Sequence, residues 1–213
     1  MNHLLHLDSS IRPLGDSRSR RLSARYAAAW QSAHPDGTVV YRDLAAEPIP
    51  HFDGTAFAAN FIAAEDRSEA QAEAFALTAE IAGEVMAADT ILLGMGLYNF
   101  GTPSTVKAWY DRIVVRGITV DDQGGRLGGK RLVLALAAGG GYAPGTPRHG
   151  WDHRVPWLAH AFEFLGVSDV DVFSAELTLA RESPQMIPLD LGAAEDRSLM
   201  DAEAAIDASF AMV

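Results

Sequence analysis

Cysteine is absent from all 213 residues. That excludes disulfides, thiolate metal ligands and a cysteine nucleophile, and it fits a cytoplasmic setting. No stretch reaches the ~18 consecutive apolar residues of a membrane-spanning helix, so no membrane role is expected. The opening MNHLLHLD has neither the basic region nor the long apolar core of a secretory leader, and reads as first-strand sequence. Basic residues are the scarcer charge: 17 Lys and Arg stand against 28 Asp and Glu, a formal net charge of −11. A nucleic-acid partner requires a basic surface to neutralise phosphates, so that class is set aside. Also missing are GxxxxGK[ST], a GxGxxG after the first strand, HExxH and GxSxG. Their absence removes the P-loop, dinucleotide-fingerprint, zincin and serine-hydrolase readings. His3 and His6 would leave a strand on opposite faces, and His149 and His153 flank Gly150 ahead of Pro156, so no metal site is expected.

The chain is 48% hydrophobic and 21% charged, enough to bury a core, and its length suits one α/β domain spanning 1–213. Leu4-Leu5-His6-Leu7 is a short apolar run expected to be the central strand. After a loop at Ile11–Asp16, Ser17 is the expected N-cap of a helix carrying Leu22, Tyr26 and Trp30 at helical spacing. Thr38–Tyr41 follows a Pro35-Asp36-Gly37 turn as a second strand, giving a right-handed parallel crossover. Leu44–Ala64 is irregular, with a short helix expected near 56–63. A helix over Ser68–Met86 offers Phe75, Ile81 and Val85 to the core.

Thr90–Leu93 is the third strand. Thr102 is the expected N-cap of the next helix, with Pro103 at its first position and Val106, Trp109, Tyr110 and Ile113 facing inward. A glycine-rich segment with Gly124-Gly125 suggests a hairpin. The strand Leu132–Leu136 runs into Gly139-Gly140-Gly141, and a long loop leads to a helix over Pro156–Leu165 that stops at Gly166. Val170–Phe173 and a helix over Leu191–Phe210 complete five strand–helix units. Such alternation specifies an α/β fold: a doubly wound, five-stranded parallel sheet with helices on both faces, flavodoxin-like by count.

In a parallel sheet, ligands gather beyond the carboxyl ends of the strands. Three such ends carry unusual sequence. Ser17 and Ser19 at a helix start, with Arg18 or Arg20 beside them, suit a phosphate, although capping alone also accounts for the serines. The arginines at 12, 18, 20, 21 and 25 are either a solvated basic helix face or a local anion site. Tyr98-Asn99-Phe100 suits a flat ring with a polar edge, or merely covers the sheet. Three successive glycines let the backbone approach a ligand and present bare N–H donors. A ligand with a phosphate at one end and a polar-edged tricyclic ring at the other fits all three: FMN.

On these residues the chain resembles the FMN-dependent NADH:quinone oxidoreductase and azoreductase family, of flavodoxin-like fold. The resemblance runs along nearly the whole chain. It includes Ser9-Ser10, Ser17-Arg18-Ser19, Arg42-Asp43-Leu44 through Pro50 and Leu97-Tyr98-Asn99-Phe100. It continues through Lys107, Tyr110-Asp111, Gly117-Ile118-Thr119 and Phe164-Leu165-Gly166. It implies that Ser9, Ser17 and Ser19 hold the FMN phosphate, with Arg18 where relatives often have an uncharged residue. Leu97, Tyr98, Asn99 and Phe100 would frame the isoalloxazine, and Gly139 and Gly140 would donate backbone N–H bonds near its pyrimidine edge. Ala137-Ala138 stands where relatives often have Ser-Arg, removing two polar contacts to the flavin. The implied activity is ping-pong electron transfer from NADH or NADPH to quinones, azo compounds or nitroaromatics, by a cytoplasmic homodimer. The cofactor performs the chemistry, and no catalytic side chain is assigned. A flavodoxin-like electron carrier or flavin-binding module without its own substrate is the competing reading.

Overall fold

Each of the five apolar runs forms a strand of one parallel sheet in the computed structural model, which describes residues 2–211. The strands are β1 (His3–Asp8), β2 (Thr38–Asp43), β3 (Thr90–Gly96), β6 (Arg131–Ala137) and β7 (Asp169–Ala175), with β4 (Val120–Asp121) and β5 (Gly124–Gly125) forming a separate antiparallel hairpin. The order is β2-β1-β3-β6-β7. The first strand, expected from its apolarity to be central, is therefore second from the edge. β2 returns to one side of β1 and β3 crosses to the other, so the order reverses between β1 and β3 and β3 takes the middle.

Burial on both faces explains why the three inner strands, β1, β3 and β6, are nearly continuously apolar rather than alternating, whereas the edge strands β2 and β7 are more exposed. On one face Leu5, Leu7, Ile91, Leu93, Met95, Leu132, Leu134 and Leu136 pack against α3 (Glu69–Ala87), α4 (Ser104–Ile113) and α5 (Arg154–Phe164). On the other, Leu4, Leu92, Val133, Ala135 and Phe173 pack against Leu22, Tyr26 and Trp30 of α1 (Arg18–Ala33) and Leu199, Ala202 and Ile206 of α6 (Gly192–Phe210). The helix starts are specified locally. Ser17 accepts from the Arg20 amide, and Ser68 forms a full capping box with Gln71. Gly166 ends α5 at φ +94°, where its N–H meets the Glu163 carbonyl.

Three local expectations are corrected. The short helix α2 is Gly54–Ala59, begun by Asp53, whose side chain accepts from the Ala56 amide. Thr102 does not cap α4: Pro103 keeps an extended ψ of 140° and is itself the cap residue, so the helix begins at Ser104. Phe75 is only half-buried, because the inward stripe of α3 is Thr78, Ile81, Ala82 and Val85. One turn earlier, the Arg67 guanidinium covers the Phe75 ring, 3.5 Å from its centroid. Among the described residues, no helix is long and apolar enough to cross a membrane.

Candidate functional site

The carboxyl ends of β1, β3 and β6 open into a cleft of about 250 Å³. Ser10, Arg12, Ser17, Arg18 and Ser19 line one end; Gly96, Leu97, Tyr98, Ala137 and Gly139 line the other, together with Thr178 and Leu179.

At the first end, the N-terminus of α1 supplies orphan amides, and three hydroxyls converge. Ser17 Oγ donates to Ser10 Oγ at 2.8 Å and lies 3.3 Å from Ser19 Oγ. The Ser17 and Ser19 residues are both buried. Ser9 is placed elsewhere: its hydroxyl donates to the Gly94 carbonyl at 3.4 Å, and it does not line the cleft. Both serines lie just past the end of β1, and they part there: Ser9 bonds to β3 while Ser10 lines the cleft. This residue was quoted in the resemblance but given no role.

The five-arginine cluster is a partly solvated face, with Arg21 and Arg25 exposed, rather than a collective anion site. Each arginine has its own carboxylate: Arg12 with Glu182, Arg18 with Glu195, Arg20 with Asp43, Arg21 with Glu203 and Arg25 with Asp207. Three of those partners lie on α6, so the cluster docks α1 to α6. Arg18 keeps its place beside the serines, and its Nε is buried without a protein partner.

At the second end, Tyr98–Gly101 forms a tight turn closed by the Gly101 amide donating to the Tyr98 carbonyl at 3.0 Å. Asn99 and Phe100 both lie in the left-handed region, at φ 48° and 66°. That conformation is costly for residues other than glycine and collects at functional loops. Tyr98 spans the cleft, its hydroxyl accepting from the Ile11 amide at 3.1 Å. Its ring lies against Gly96, where a Cβ would come within 3.1 Å. Asn99 and Phe100 sit on the exposed rim. Phe100 packs edge-on to Trp151 at 5.4 Å, and its carbonyl accepts from the His153 amide at 3.0 Å.

The glycine run is held by a segment that sequence reasoning left unread. Residues 177–179 fold back so that Leu177, Thr178 and Leu179 donate to the carbonyls of Gly140, Ala138 and Gly139 at 3.0–3.2 Å. The Gly139 and Gly140 amides, among the described residues, donate to no protein group. Arg154 was also missed. It is wholly buried, and its Nη1 donates to the carbonyls of Met95 and Ala137, tying the ends of β3 and β6 together. Asp152 holds it at 2.6 Å. Burial pushes the Asp152 carboxyl up, but the Arg154 hydrogen bond and charge pull it further down, below its ordinary range. Arg154 lies two residues before the helix start expected at Pro156, whereas α5 begins at Arg154 itself, so no sequence signal marked it.

These residues fit the expected cofactor. Hydroxyls at a helix start suit a phosphate, while unpaired glycine amides beside an aromatic turn suit a ring with a polar edge. The serines, Tyr98 and Gly139 line one cleft, while Gly140, Asn99 and Phe100 lie outside its lining. Among the described residues, no cluster of three or more acidic, histidine or cysteine side chains is arranged to hold a metal ion.

Comparison with known proteins points the same way. The profile of a family described as having a flavodoxin-like fold matches residues 2–196. An FMN-dependent NADH:quinone oxidoreductase of Frankia casuarinae is 45% identical over 190 residues, covering 87% of this chain and 89% of that one. One of Xanthobacter autotrophicus is 44% identical over 177 residues, covering 81% and 85%. Among solved structures, an azoreductase from Bacillus anthracis superposes with a TM-score of 0.81 at 24% identity, covering 97% and 99%. An FMN-dependent NADH-azoreductase from the same species, in complex with FMN, gives 0.78 at 20% identity, covering 97% and 98%. At these identities, the structural likeness speaks to the fold.

Proposed function

The chain belongs to the family of FMN-dependent NADH:quinone oxidoreductases of flavodoxin-like fold, and from that premise we propose how this molecule carries out the reaction. It is an FMN-dependent oxidoreductase taking electrons from NADH. Quinones are its acceptors, with azo compounds as a second acceptor class. The observation that carries the reading is the meeting, in one cleft, of a three-serine cradle and the unpaired Gly139 amide.

FMN, when bound, supplies reversible two-electron chemistry, accepting a hydride from NADH and passing electrons to the acceptor in a ping-pong sequence. The chain binds and orients. Ser10, Ser17 and Ser19 offer hydroxyls to the phosphate, and Arg18 adds a cation beside them. The role the resemblance gave to Ser9 thus passes to Ser10. Leu97, Tyr98, Asn99 and Phe100 frame the ring. Gly139, and Gly140 beside it, would offer free N–H groups to its polar edge, fixed donors of the kind that stabilise negative charge without reorganising. Phe100 and Trp151 wall the mouth and limit water. No side chain is assigned as general acid or base.

The protein acts as a single domain, 1–213, paired as a cytoplasmic homodimer. Exposed aromatic pairs support pairing: Phe57 with Phe61, 5.0 Å apart by ring centroid, and Phe100 with Trp151. Light scattering on the purified protein tests that state.

The reaction is tested by the absorption spectrum of the FMN-loaded protein before and after anaerobic NADH. Flavin bands that bleach with NADH and return on adding a quinone are expected. Bands that persist would favour an electron carrier, and a protein that FMN cannot load would overturn the site.

A further inference from the structure

We propose that Arg20 is a positioning residue for the phosphate end of the cleft, acting from behind the loop rather than on the ligand. The inference rests on the FMN reading above and assigns a role to a residue that does not line the cleft. Arg20 is only 7% exposed. Its Nη2 donates to the Ser10 carbonyl at 2.7 Å, and its Nε donates to the Arg12 carbonyl at 2.9 Å. One planar group therefore fixes both ends of the turn that carries the Ser10 hydroxyl. The same guanidinium is anchored to the neighbouring strand, with Nη2 and Nη1 each 2.8 Å from an oxygen of Asp43. Asp43 is itself held at the end of β2 by the Ala45 and Ala46 amides. Nη1 also donates to the Tyr41 hydroxyl, which in turn donates to Asp8.

The charge count separates positioning from attraction. Asp8 and Asp43 surround one guanidinium, so the cluster behind the loop presents no net positive charge to an incoming anion. Its contribution is geometric: two carbonyls, a hydroxyl and a carboxylate arranged around a rigid fork. A lysine ammonium, a single point charge on a flexible stem, cannot satisfy that set. Loss of the fork frees the Ser10–Arg12 turn, and with it one hydroxyl of the cradle.

The test compares Arg20→Lys and Asp43→Asn with Arg25→Lys, a control on the outer face of the same helix. Two quantities are read on the full chain: dissociation constants for FMN and for riboflavin, which lacks the phosphate, and the 31P resonance of bound FMN. Arg20→Lys is expected to weaken FMN roughly tenfold, equivalent to about 1.4 kcal/mol, to leave riboflavin within about twofold, and to move the 31P signal. Asp43→Asn should move both readouts the same way by less, and Arg25→Lys neither. Equal weakening of both ligands, or unchanged FMN affinity with an unmoved 31P signal, would overturn the proposal. If Arg20→Lys does not fold, Asp43→Asn decides on the 31P signal alone. Wild-type protein that takes up neither ligand would overturn the FMN reading itself, a different failure from the loss of discrimination between them.

Discussion

At the serine end of the cleft the holding groups are side chains from a short stretch of chain: Ser10, Ser17, Ser19, Arg20 and Asp43 meet within the first 43 residues. At the glycine end the groups offered to a ligand are backbone amides, held from distant segments: 177–179 bond through their own amides to 138–140, and one side chain, Arg154, bridges the Met95 and Ala137 carbonyls. The two arrangements suit different ligand parts. A phosphate needs directed donors at fixed points, which buried and hydrogen-bonded side chains provide. A flat ring needs a surface and a row of N–H groups, which bare backbone provides. Side-chain wiring is also less forgiving, because a buried polar group displaced from its partner incurs its full desolvation cost.

That contrast is tested by placing the same methyl group behind each end. A Cβ at Gly94 would sit 2.1 Å from Asp8 Oδ1 and 2.8 Å from Ser23 Oγ, in the buried hydrogen-bonded cluster behind the serines. Gly94→Ala is expected to destabilise by about 3 kcal/mol, read from urea midpoints. A Cβ at Gly139 would meet only the Leu179 side chain, Cδ1 at 2.6 Å and Cγ at 2.9 Å, which a change of rotamer can move aside. Gly139→Ala should therefore cost about 1 kcal/mol. The reverse order would break the comparison. Next in size is Asn99→Val, which forces a β-branched residue into the left-handed region and is expected to cost about 1–2 kcal/mol. Asn99→Gly, measured in the same denaturation series, should cost nothing.

The same contrast explains what could be read from sequence. Ser17 was legible as a cap, and the inward stripe of α4 as a stripe, because both depend on neighbours within one helical turn. The five strands were legible as apolar runs. Their order was less so: the apolarity of Leu4–Leu7 is shared by every inner strand and does not say which is central. Ser10 and Ser9 could not be separated by residue type, since only the direction of each side chain as β1 ends decides between cleft and interior. The fold-back of 177–179 had no signal in composition, because its bonds run through backbone amides that every residue owns. The arginine cluster misled for a related reason. Its carboxylate partners on α6 lie more than 170 residues away, so the charge looked free.

The smaller effects sharpen the serine end. Ser17→Ala removes the cap and one hydroxyl together, at an expected cost of about 1 kcal/mol in stability with weaker FMN binding. Ser17→Asp keeps a capping oxygen but sets a negative charge in the cradle, so thermal stability should stay near wild type while FMN affinity collapses. Titration by FMN fluorescence beside melting curves reads both.

Acid provides the mildest probe. Burial pushes the Asp43 carboxyl up, yet the Arg20 hydrogen bond and the Ala45 and Ala46 amides draw it lower still, so its net shift is downward. For a depressed carboxyl the unfolded chain takes the proton first. Its stabilisation is therefore complete above the ordinary carboxylate range and is lost as pH falls through the lowered folded value. Stability measured by urea unfolding should thus be flat near neutrality and decline only on the acid side, with Asp43→Asn removing part of that slope. An unchanged slope in Asp43→Asn would mean that the Arg20–Asp43 contact holds geometry without storing a charge-dependent preference for the folded chain.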